Sequence, residues 1–102
     1  MKLKITPSSG NVFRDIGFSE EESEHLMIRS DLMIRIERII DSRKLTQAKA
    51  AALFGCTQPR VSDLVRGKIQ LFSIDTLVDM LAHAGVRVRV VPEPARRNRR
   101  VA

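Results

Sequence analysis

Little in this sequence points to covalent or membrane chemistry. A single cysteine, Cys56, leaves no internal disulfide framework. Tryptophan and tyrosine are absent and phenylalanine occurs four times, so a platform for stacking single-stranded bases is poorly supported. Apolar runs fall short of the roughly 18–20 residues that a membrane span needs. Residues 1–7 carry two lysines but no apolar stretch of secretory-signal length, so a cytoplasmic location is expected. His25 and His83 have no ligand cluster around them. There is no Ser/His/Asp set, phosphate-cradling glycine loop or metal-ligand spacing. Neither an enzyme nor a bound cofactor or metal ion is expected.

What is present fits one folded domain. The chain has 102 residues, 43% of them apolar, enough to bury a core without disulfides or metal. Lys and Arg outnumber Asp and Glu by 18 to 12, for a net charge of +6. The excess is uneven. Residues 1–30 hold four basic and five acidic side chains, whereas residues 31–102 hold 14 and seven. A neutral end joined to a basic one points to a polyanionic partner, with an ordinary solvated surface as the alternative.

Hydropathy patterning predicts mostly helix. Leu3 and Ile5 alternate with lysines in a short N-terminal strand, broken by the turn residues at 7–11. Ser19 followed by Glu22 reads as a capping box. The helix it opens runs to about Arg43, with Leu32, Ile36, Ile39 and Ile40 on one face, and Ser30-Asp31 allows a break within it. A short helix over residues 46–54 is capped by Thr46 and stopped by Gly55. The next runs to about Arg66. Thr57 is able to cap it, but the constraint that Pro59 places on its predecessor moves the expected cap to Gln58. Ser73 starts the last helix, with Ile74, Leu77, Val78 and Leu81 buried and Gly85 ending it. Residues 86–91 alternate valine and arginine as a strand with one apolar and one basic face. Pairing the two terminal strands, within a chain or across a dimer, would remove exposed edges. Arg96, Arg97, Arg99 and Arg100 form a basic tail with little to bury, expected to be disordered.

Function is carried by residues 45–67. Two short helices joined by Gly55-Cys56-Thr57 must cross steeply, with a small residue (Ala50 or Ala51) where they touch. Cys56 is expected as a small apolar residue of the turn. Val61 and Leu64 face back onto Leu53. The other face of the second helix then offers Gln58, Arg60, Ser62, Asp63 and Arg66, hydrogen-bonding side chains of the kind that groove reading needs.

This segment resembles the Cro/C1-type helix-turn-helix domain, also called the XRE family. Leu45-Thr46-Gln47, Ala51, Gly55, Thr57-Gln58, Val61-Ser62, Leu64 and Gly67-Lys68 carry the resemblance. The fold it implies is all-α, a five-helix Cro/C1-repressor-like domain flanked by short N- and C-terminal strands. The longer pattern, residues 11–17 with 57–64, is similar to a subgroup of HigA-type antitoxins. That subgroup implies a homodimer, an inverted-repeat double-stranded DNA operator, repression of the protein's own promoter and a RelE-like toxin partner. Residues 11–27 carry more apolar surface than a short helix buries and are the segment expected to meet a toxin.

Carried over residue by residue, the resemblance implies base reading by Gln58, Pro59, Arg60 and Asp63. It implies phosphate contacts from Gln47, Lys49, Thr57, Ser62, Arg66 and Lys68, with general attraction from Arg43 and Lys44. Pro59 departs from the family pattern, because proline offers a base only an apolar contact, such as to a thymine methyl. Asp63 suits a cytosine amino group and repels phosphates. The expected organisation is a strand and connecting segment over residues 1–18, a helical DNA-binding domain over 19–85, a strand over 86–92 and the basic tail over 93–102. A rival is an adaptor that keeps the fold and reads no specific DNA.

Overall fold

Hydroxyl side chains start the four α-helices whose ends are described. In the computed structural model, which describes residues 2–5 (as backbone), 13 and 16–94, helix α1 spans Glu20–Ser42, α2 Gln47–Phe54, α3 Gln58–Val65 and α4 Ile74–His83. A 3-10 turn, Ile69–Leu71, lies between α3 and α4, and strands β1 (Lys2–Ile5) and β2 (Arg87–Val90) flank the helices. Ser19, Thr46, Thr57 and Ser73 are the four N-caps, each in extended backbone with its side-chain oxygen accepting from an amide three residues on. Each cap satisfies a donor that the first helical turn leaves unpaired.

The capping box of α1 forms as read. Ser19 Oγ accepts from the Glu22 amide at 3.1 Å, and Glu22 Oε1 accepts from the Ser19 amide at 3.4 Å. Glu20, Glu21 and Glu22 fill its first turn, where the helix dipole favours acid. The break allowed at Ser30-Asp31 does not occur. Ile28 before that pair and Leu32, Ile36 and Ile39 after it pack on the core from one helix face, and no glycine or proline interrupts the ladder. Four α-helices therefore have both ends among the described residues, where five were expected.

The α3 start also differs from expectation. Thr57, not Gln58, is the cap. Its hydroxyl accepts from the Arg60 amide at 3.4 Å and its carbonyl accepts from the Val61 amide at 3.2 Å. Gln58 becomes the first helical residue, with Pro59 in the first turn, where a missing N–H leaves no gap. The backbone bias before proline is outweighed by the cap and by burial of Val61 and Leu64.

The core lies where α1, α2, α3 and α4 meet. Leu32, Ile36, Phe54, Val61, Leu64, Phe72, Leu77 and Leu81 are its best-buried large side chains. Ala50 and Ala51 supply the small residues at the crossing of α2 and α3, while Leu53 is only half-buried. In α4 the buried set is Leu77, Met80 and Leu81, with Ile74 and Val78 at its edge.

The two strands pair within one chain. They run parallel, with Lys2 opposite Arg87, Leu3 opposite Val88, Lys4 opposite Arg89 and Ile5 opposite Val90. Parallel pairing needs a long crossover, here the whole helical body. The expected turn over residues 7–11 and the basic tail from residue 96 lie outside the described residues.

Candidate nucleic-acid interface

The α2–turn–α3 unit is built around Gly55. Its φ of 67° is left-handed, which ends α2 and aims the chain into α3. Space there is as restrictive as conformation. A Cβ added at Gly55 would stand 2.8 Å from the His83 ring, so the end of α4 rests on this turn. Cys56 follows, half-buried. Burial pushes its thiol pKa above the ordinary value, partly opposed by the nearby Arg60 guanidinium.

At about 100° per residue, Pro59 and Arg66 lie opposite the buried pair Val61 and Leu64 on α3. Ser62 and Asp63 flank them, and Gln58 sits at one side. Thr57, Gln58, Pro59 and Arg66 are exposed, while Ser62 and Asp63 are half-buried. The exposed face is thus polar and rimmed by the first turn of the helix. Val65, 48% exposed beside Gln58 on the wheel, adds an apolar patch that the sequence reading did not assign to the site.

Arg60 stands apart. It falls beside Leu64 on the wheel, at the margin of the buried face. Its guanidinium carbon lies 4.4 Å from the centroid of the Phe72 ring, and Nη1 donates to the Leu71 carbonyl at 3.1 Å. Two groups therefore hold it against the 3-10 turn rather than among the exposed side chains. Phe72 and Leu71 were not identified as part of the site, and no spacing rule links them to Arg60.

Lys68 pairs with Asp63. Nζ stands 3.6 Å from the carboxylate, and the Lys68 amide donates to the Asp63 carbonyl at 3.1 Å. Both side chains keep solvent contact, so the pair adds at most about 1 kcal/mol of stability. Its larger effect is local, since it offsets the one negative charge on the exposed face of α3. Gln47, first residue of α2, and Lys49 are exposed, as are Arg43 and Lys44 in the preceding connection. Lys44 takes the left-handed conformation, with φ 52°. Four basic or amide side chains thus cluster around the start of α2, whose N-terminal amides favour anions. Among the described residues there is no group of three or more His, Cys, Asp or Glu side chains able to hold a metal ion. No helix among them is long and apolar enough to cross a membrane.

Two short capped helices, a left-handed glycine between them and a polar face on the second define a helix-turn-helix protein. A family model described as a helix-turn-helix domain matches residues 12–92, and the chain belongs to that family. A solved structure named "Putative XRE Family Transcriptional Regulator" is 32% identical, covering 79% of this chain and 91% of its own, with a TM-score of 0.67. No curated protein matches. The family and this neighbour support DNA-binding transcriptional regulation.

Proposed function

We infer that the chain is a sequence-specific, homodimeric repressor of its own promoter and the antitoxin of a toxin–antitoxin pair. The observation that carries the DNA-reading part is the exposed N-terminal turn of α3, where Gln58 and Pro59 project from a helix anchored by Val61 and Leu64. In this reading α3 enters the major groove by that end. Gln58 forms a bidentate pair with an adenine edge, and Pro59 rests on a thymine methyl. Asp63 accepts from a cytosine amino group once Lys68 turns to a phosphate. Arg60 reaches a base only by exchanging the Phe72 ring and the Leu71 carbonyl for it. Gln47, Lys49, Thr57, Ser62, Arg66 and Lys68 contact phosphates and supply the salt dependence. A two-fold dimer reads inverted half-sites about 10 base pairs apart.

The antitoxin part is supported by apolar surface ahead of and along α1. Ile16 is 67% exposed, and Phe18, packed edge-on against Phe13, and Ile34 are each 41% exposed. A RelE-like toxin would cover this surface.

A promoter-reporter assay with footprinting tests the reading. Expression of the chain silences a reporter driven by the DNA upstream of its own gene, and the footprint shows two protected half-sites one helical turn apart. Full reporter activity with no footprint contradicts it.

A further inference from the structure

The β1–β2 ribbon carries charge of one sign. Its strands read Lys-Leu-Lys-Ile and Arg-Val-Arg-Val, with no acidic residue in either. The parallel register sets Lys2 against Arg87 and Lys4 against Arg89. Arg87 and Arg89 alternate along β2 and so share one face of it, and the register partners of both are lysines. Like charges directly opposite one another destabilise a strand pair. Arg87 and Arg89 are exposed and make no ion pair among the described residues. The other face is different in kind, with Val88 half-buried against the core and Val86 buried just before it.

Position makes the ribbon relevant to the helix-turn-helix. The end of α4 rests on the turn, through His83 against Gly55. Strand β2 begins at Arg87, four residues later, within roughly 14 Å of chain from that contact. Along one strand, alternate residues recur about every 6.5–7 Å, close to two rises of a DNA strand's phosphates. We propose that the basic face of the ribbon is a second, sequence-independent binding surface for the phosphate backbone of duplex DNA. It adds to the contacts of α2 and α3, and it rests on the DNA-binding reading above.

This surface has a signature that a structural role does not share. Neutralising it weakens DNA binding while relieving repulsion in the free protein. The test uses the full chain, with Arg87→Gln and Arg89→Gln combined, and the charge-preserving Arg87→Lys with Arg89→Lys as control. Affinities for the upstream duplex and a scrambled duplex are measured across a salt series, and thermal melts are recorded alongside. The Gln variant is expected to lose the same factor on both duplexes, about tenfold or more at low salt. Its salt slope falls by about 2, and its melting temperature is unchanged or higher. The Lys variant keeps the wild-type slope. An unchanged slope in the Gln variant overturns the proposal, as expected if the face meets an acidic protein or an anionic lipid instead. Equal loss in the Lys variant, or loss only with a lowered melting temperature, overturns it too. If the wild type binds both duplexes equally yet the ribbon still sets the slope, the repressor reading fails and the ribbon stands.

Discussion

The Arg60 guanidinium lies 4.4 Å from the centroid of the Phe72 ring and donates to the Leu71 carbonyl, tying α3 to the 3-10 turn that follows it. Phe72 is 1% exposed, so the contact joins an interior ring to a half-buried cation at the margin of the interface. A base contact by Arg60 and this contact compete for one side chain.

That competition is measurable. Phe72→Leu keeps an apolar side chain but removes the ring face, and should destabilise the fold by about 1–3 kcal/mol. Arg60→Ala alone should cost about 0.5–2 kcal/mol, and less in the Phe72→Leu background, where only the bond to the Leu71 carbonyl remains to be lost. A denaturant double-mutant cycle checks this, and strictly additive losses would show that the two residues do not interact.

Gly55 is held to glycine for two reasons with different remedies. Gly55→Ala should cost about 1–2 kcal/mol for the left-handed backbone and more for the approach to His83. Adding His83→Ala should restore the steric part and leave the backbone part. Melts of both single variants and the double variant separate the two, and a double variant no more stable than Gly55→Ala would show that the ring does not matter.

The caps and the helix-turn-helix were legible because their signals are local. A hydroxyl three residues before a free amide, and a glycine after an alanine-rich helix, need no tertiary knowledge. A polar pair such as Ser30-Asp31 looks like a new cap, but Ile28 before it and Leu32 and Ile36 after it pack on the core from one face, which keeps the helix continuous. The cap of α3 is not legible from the pre-proline bias alone, because burial of Val61 and Leu64 outweighs that bias. The role of Arg60 was not legible, since its partners lie beyond an irregular segment whose path is set by packing. The register of Lys2 with Arg87 was equally hidden, because it joins the two ends of the chain across the whole helical body.

Asp31 provides a pH test of the α1 reading. Burial raises its pKa above the ordinary 3.8, so the folded state binds its proton more tightly than the unfolded chain does. Its protonated form is the one that folding favours, and this contribution is lost as pH rises from 3.8 through the folded-state value. Asp31→Asn should therefore raise the melting temperature slightly at pH 7 and give no gain below pH 3.8. A gain that persists or grows in acid would contradict this assignment.

The Asp63–Lys68 pair restrains both a carboxylate and a cation at the edge of α3. Asp63→Asn should change stability by less than about 1 kcal/mol. It should tighten binding to a scrambled duplex, steepen the salt slope by about 1 and narrow the preference for the native site. Fluorescence anisotropy across a salt series reads all three, and an unaltered slope on the scrambled duplex would mean that Asp63 does not hold Lys68 away from phosphate.

The most direct test of DNA reading by α3 is the affinity ratio between the duplex upstream of the gene and a scrambled duplex, for the wild type and for Gln58→Ala. The account predicts a wild-type ratio on the order of 10³ or more. It predicts that Gln58→Ala, with its melt unchanged, lowers affinity for the native duplex by about 1–3 kcal/mol and leaves the scrambled duplex unaffected. Equal wild-type affinity for both duplexes, or no response to Gln58→Ala, would contradict the claim that this helix reads sequence.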